Sequence, residues 1–108
     1  MSNLSTTTQV ENDLIKPIHP GEVLMEDFVE AFGITQNKLA VSIGVPLRRI
    51  NEIVHGKRAI TADTALRLGR YFGISPQFWL NLQAQYELEI AEDRISEQID
   101  AITPLKVA

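Results

Sequence analysis

From Val23 to Ile102 the apolar residues recur every three to four positions, and glycine or proline breaks the run where its phase changes. This is the spacing of helices with one buried face, and it predicts five of them. The first opens at Pro17–Gly21 (PIHPG), where Pro20 near the first position and Glu22 in the first turn suit a helix N-terminus. Leu24, Phe28, Ala31 and Phe32 form its apolar stripe, with Val23 beside it. Glu22, Glu26, Asp27 and Glu30 form an acidic outer face, and Gly33 ends the helix. Thr35 is the expected N-cap of the second helix, with Ile34 and Leu39 at the spacing of a hydrophobic staple.

The third helix follows Pro46. Thr61 is placed to cap the fourth, ADTALRLGRYF, which is expected to bury Ala62, Ala65, Leu66, Gly69 and Phe72. A mid-helix glycine costs about 1 kcal/mol relative to alanine, so another helix is expected to come close at Gly69. Ser75 and Pro76 start the fifth helix, long and amphipathic, with Phe78, Trp79, Leu82 and Tyr86 as its large residues. Trp79 reads as core. From Leu88 the stripe continues through Ala91, Ile95, Ile99 and Ile102 between acidic residues, and Pro104 is expected to end it. Such a stripe suits packing on its own domain or lying in a partner's groove. Part of the fifth helix is also open to a reading as a dimer seam. Residues 1–16 are polar and without apolar periodicity, so a disordered arm is expected there. Residues 17–92 then make one helical domain, and 93–108 a helical or flexible tail.

The stretch from Thr35 to Arg58 carries the chemistry. Leu39, Ala40 and Ile43 give the second helix its buried face, and Ile50 and Ile53, with Val54 at the edge, do the same for the third. Between them Gly44 suits a left-handed helix exit, Val45 plugs the corner, and Pro46 needs no N–H at a helix start. Helices joined this way cross at roughly 90–120°, and Ala40, four residues before Gly44, is the small residue at the crossing. The outward residues of the third helix are Leu47, Arg48, Arg49, Asn51, Glu52 and His55. Arginine matches guanine O6 and N7, asparagine matches adenine N6 and N7, and the N-terminal residues of a recognition helix meet base edges. Leu47, Arg48, Arg49 and Asn51 are therefore candidate base readers. Glu52 is open to two roles: accepting from cytosine N4, or holding Arg48 or Arg49 in place. Lys57 and Arg58, just past Gly56, are placed for phosphate, as is Gln36 in the first turn of the second helix. Lys38 adds a basic group on that helix and completes the candidate DNA-binding set. A helical hairpin with a solvated basic face is the plainer alternative, and the joint offsets of Ala40, Gly44, Val45, Ile50 and Ile53 favour DNA.

Charge distribution strengthens this reading. The chain carries −4 overall, yet residues 35–70 hold seven basic against two acidic side chains, a net +5, so the remainder carries −9. A basic face on an acidic body steers one side toward phosphate. Arg67 and Arg70 are open to phosphate contact or to pairing with acids of the first helix, and the second is favoured. The 108 residues suffice for one domain with a real core. With no cysteine and two histidines, a disulfide framework or catalytic metal has no support, no cofactor is expected, and no nucleophile-and-base pair suggests an enzyme. His19 reads as a capping or surface residue. No apolar run approaches the roughly 20 residues of a membrane span, and the N-terminus lacks signal-peptide features, so a cytoplasmic protein is expected.

HPGEVL, ITQNKLA, INEIVHGKRAITADTALRLGRYFG and SPQFWLNLQ, between about His19 and Glu89, resemble the HigA-type antitoxins of bacterial addiction modules. These are also described as virulence-associated protein I and belong to the Cro/repressor-like helix-turn-helix group. The resemblance implies an all-α, five-helix, lambda-repressor-like DNA-binding domain that forms a homodimer through its C-terminal region. It also implies repression of its own operon and neutralisation of a HigB-type toxin, an mRNA endonuclease. By the repressor pattern, Gln36 matches a phosphate- or base-touching position, Leu47, Arg48 and Asn51 match recognition-helix positions, and Arg58 matches a backbone-contacting loop position. Leu47 departs from the polar residue many repressors carry there, which leaves a thymine methyl contact or no base contact. Electrostatics points to the acidic face of the first and last helices for the toxin. A solitary regulator and a protein-binding inhibitor with incidental DNA binding are the alternatives.

Overall fold

A computed structural model describes residues 16–106; the arm expected over residues 1–16 lies, but for Lys16, outside the described residues. All regular structure among them is helical. Helix α1 runs Pro20–Val23 and continues as a π-helical segment, Leu24–Glu30. It is followed by α2 (Gln36–Ile43), α3 (Leu47–Val54), α4 (Ala62–Phe72) and α5 (Pro76–Asp100). Helices α2 and α3 pack together, α1 lies on α3 and α5, and α4 lies on α2 and α5. Their shared core holds Leu24, Phe28, Leu39, Ile50, Ile53, Leu68 and Trp79. The Phe28 ring sits 4.8 Å from Trp79 and 4.9 Å from Phe72, joining three helices through aromatic contact.

Two expected faces turn. In α1, Val29 is buried, whereas Ala31 and Phe32 are exposed, Phe32 by 62%. A π-helical turn closes at the fifth residue, which brings Val29 beneath Leu24. Phe32, beyond the helix end, stacks on Phe72 from outside at 5.6 Å. In α4 the core takes Thr64 and Leu68, while Ala62 is exposed and Leu66 is 61% exposed. Leu66 and Leu68 flank the Ala65–Gly69–Phe72 line on opposite sides, so periodicity admits either, and packing on α5 selects Leu68.

Three local expectations also change. Thr61 occupies the N-cap of α4 with extended backbone, but its hydroxyl makes no capping bond. At Gly69 the close approach comes from the connection into α5 and the first residue of that helix: a Cβ there would meet the Ile74 carbonyl oxygen at 2.6 Å and Pro76 at 3.1 Å, so the chain returning from α4 to α5 requires the glycine. Helix α5 ends at Asp100, four residues before Pro104, with Ile95 off helical geometry at φ −122° and ψ 23°. Trp79 and Gln83 are its buried residues, and Leu88, Ile99 and Ile102 stand exposed. Most of its C-terminal half is exposed, but Glu89, Ile90 and Ile95 are half-buried, and Glu89, Glu92 and Asp93 share a shallow groove with Pro17.

Candidate nucleic-acid interface

The turn between α2 and α3 forms as its residues dictate. Gly44 is left-handed at φ 73°, its neighbour Val45 is buried, and the Val45 N–H donates to Ala40 O at 3.0 Å. Ala40 is buried at the crossing. Pro46 is the N-cap residue and α3 begins at Leu47. At the other end of α2, Thr35 Oγ1 accepts from Lys38 N at 3.0 Å, while the remaining first-turn amides have no intrahelical partner.

One shallow groove is lined by Met25, Thr35, Gln36, Leu47, Arg48 and Asn51. Four of the residues expected to meet DNA thus converge on it, from two helices. Asn51 Nδ2 donates to Gln36 Oε1 at 3.4 Å, and Gln36 Nε2 points at Met25 Sδ at 3.9 Å. Arg48 reaches into solvent with 85% of its side chain accessible. Lys38, Lys57 and Arg58 are exposed.

Two carboxylates organise the arginines. Glu52 Oε2 accepts from Arg48 Nε at 3.0 Å and Oε1 from Arg58 Nε at 2.8 Å. The bonds from Arg58 and then Arg48 hold its carboxyl below the ordinary value. Of its two expected roles, holding Arg48 is thus seen, with Arg58 as second partner. Asp63 on α4 accepts from Arg67 Nε and from Arg49 Nη1, both at 2.9 Å, and is lowered by the same two bonds in that order. Arg49, placed among the base readers by sequence, is therefore turned from the groove toward α4, because Asp63 stands within its reach. Arg67 Nη1 also donates to Ile43 O at 2.8 Å, closing the end of α2. Neither Arg67 nor Arg70 pairs with an acid of α1, since Arg67 finds Asp63 one turn away on its own helix.

The loop that presents Lys57 and Arg58 is tied down by residues not expected to matter. Ile60 N donates to the buried Gln83 Oε1 at 2.8 Å, and Gln83 Nε2 donates to Glu87 at 2.8 Å. A glutamine four residues after Trp79, inside an apolar stripe, was the available signal. His19 is buried rather than on the surface. Its Nδ1 accepts from Gly21 N at 2.9 Å, capping α1, and its ring meets Tyr86 edge-on at 4.9 Å and lies against Gly56. Burial pushes the His19 imidazole below its ordinary 6.5, only partly opposed by Glu22.

A family model described as helix-turn-helix matches residues 25–79, from α1 into α5. Antitoxin HigA-1 of Vibrio cholerae is 33% identical over 86% of this chain and 88% of its own. The chain belongs to the helix-turn-helix family of HigA-type antitoxins. Another member, virulence-associated protein I of Dichelobacter nodosus, is 50% identical over 82% of this chain and 81% of that protein. Among solved HigA structures, the Pseudomonas aeruginosa antitoxin HigA with the higBA promoter superimposes with a TM-score of 0.80. It is 46% identical and covers 84% of this chain and all of that one. The five-helix, all-α architecture is thus that of HigA antitoxins, a DNA-binding family rather than an enzyme family. Among the described residues no helix is long and apolar enough to cross a membrane, and no side-chain cluster has the makings of a metal site.

Proposed function

We propose that this protein is the antitoxin and autorepressor of a HigB/HigA-type module, acting in the cytoplasm on the operator of its own operon. The observation that carries the DNA reading is the convergence of Gln36, Leu47, Arg48 and Asn51 on one groove beside exposed Lys57 and Arg58. Arg48 and Asn51 read base edges, and Leu47 meets a thymine methyl or makes no base contact. Gln36, Lys38, Lys57 and Arg58 anchor phosphates and set the register without carrying sequence information. Arg49 braces α3 against α4 through Asp63. A homodimer, seated on the exposed apolar stripe of α5, presents two α3 helices to successive major grooves about 34–36 Å apart.

The toxin is the second partner. An RNA-cutting protein needs a basic surface, and this chain offers acidic ones away from α3. Ile18, Glu22, Val23, Glu26 and Asp27 line one shallow groove, and Pro17, Glu89, Glu92 and Asp93 line another. The test is a native pull-down of the tagged protein from its own cells with mass spectrometry. A small basic partner that halts growth when expressed alone is the expected result, with binding weakened by charge reversal at Glu26, Glu30 and Glu92. Recovery of promoter DNA alone would leave a solitary repressor.

A further inference from the structure

One carboxylate stands in the middle of the basic surface. The Glu52 side chain is only 25% accessible, with Oε2 3.0 Å from Arg48 Nε and Oε1 2.7 Å from Arg58 Nη2. A negative charge on a face turned toward phosphate weakens binding to every DNA sequence. The bond geometry supplies what offsets this. Arg48 is held through Nε, which leaves both Nη groups as an end-on fork of the kind that matches guanine O6 and N7. Arg58 is held through Nε and Nη2, which leaves Nη1 for a phosphate oxygen. Both arginines are long and exposed, and side chains ordered before docking lose less freedom on binding. A direct bond from cytosine N4 to Glu52 would compete with both arginines for the same two oxygens.

We propose, resting on the reading of α3 as the recognition helix, that Glu52 is a specificity-determining positioning residue. It aims Arg48 at a base, couples that arginine to Arg58 at the backbone, and by its charge lowers affinity for DNA in general. Removing it should therefore make the protein a better binder of random DNA and a poorer judge of sequence.

The test is a set of anisotropy titrations with two duplexes at several salt concentrations. One duplex comes from the region upstream of the protein's own gene, and the other is a scrambled sequence of equal length and composition. Glu52→Gln keeps the shape and removes the charge. It is expected to tighten binding to the scrambled duplex and to cut the upstream-to-scrambled ratio about tenfold, within the discrimination one bidentate contact supplies. Glu52→Asp keeps the charge but shortens the reach to both arginines. It is expected to lower the ratio without any gain on the scrambled duplex, and it carries the test alone if the glutamine variant does not fold. A ratio unchanged in the folded variants would overturn the proposal and reduce Glu52 to a repulsive charge. No preference by the wild-type protein would instead remove the recognition-helix reading, and the proposal with it.

Discussion

Gly21, in the first turn of α1, lies directly against the backbone of Ile53 near the end of α3, so that a Cβ at residue 21 would overlap the Ile53 carbonyl oxygen. Helix α1 thus touches α3 at a point where no side chain fits. Overpacking usually costs about 1–3 kcal/mol and sometimes more, and here the obstacle is backbone, which cannot change rotamer. Gly21→Ala should fall at or above the upper end. Thermal unfolding followed by circular dichroism should show a Tm lower by roughly 10 °C or more, at about 4–8 °C per kcal/mol for a domain of this size.

Acidification should loosen the same region through His19. Its Nδ1 accepts the Gly21 N–H, so the folded state requires a neutral ring, and burial holds its pKa below 6.5. In the unfolded chain the imidazole takes up a proton near 6.5, while in the folded protein it does so only at lower pH. The stabilisation is complete above 6.5 and declines as pH falls from there through the folded-state value. His19→Ala should lose about 1 kcal/mol of capping and flatten the pH dependence that sets in as pH falls below 6.5. Urea denaturation at a series of pH values would show both effects.

Arg67 should matter for stability and not for sequence choice. It closes the end of α2 at the Ile43 carbonyl and pairs with Asp63, yet its side chain is 42% exposed and its ion pair is screened. Arg67→Met is expected to destabilise by about 1 kcal/mol. In DNA titrations it should leave the ratio of upstream to scrambled affinity near that of wild type.

Lys57 should behave in the opposite way. It lies on the loop tethered by Gln83 and is assigned to phosphate, so Lys57→Ala should weaken all duplexes alike. The slope of log affinity against log salt should become shallower by about 1. An unchanged slope would remove Lys57 from the interface.

Periodicity and punctuation carry most of the fold. The Ala40, Gly44 and Val45 corner, the burial of Ile50 and Ile53, and the caps at Thr35 and Ser75 follow from local rules, and they stand in the structure. What periodicity leaves open is rotation about a helix axis, which is why Leu66 and Leu68 exchange places and why a π-helical turn moves Val29 inward. Contacts between distant segments are harder still. Nothing near Gly21 in sequence announces the Ile53 carbonyl, and nothing near Arg49 announces Asp63 on the next helix. The candidate site is legible as a set of residue types at helical spacing. Which arginine faces the groove and which braces the fold depends on where the carboxylates fall in space.

The most direct measurement is the affinity of Arg48→Ala and Asn51→Ala for the upstream duplex, beside wild type at one fixed salt concentration. Each substitution should cost about 1–3 kcal/mol and relax preference at one base pair, with the scrambled duplex much less affected. Unchanged affinity in both variants would contradict the assignment of α3 as the reading helix.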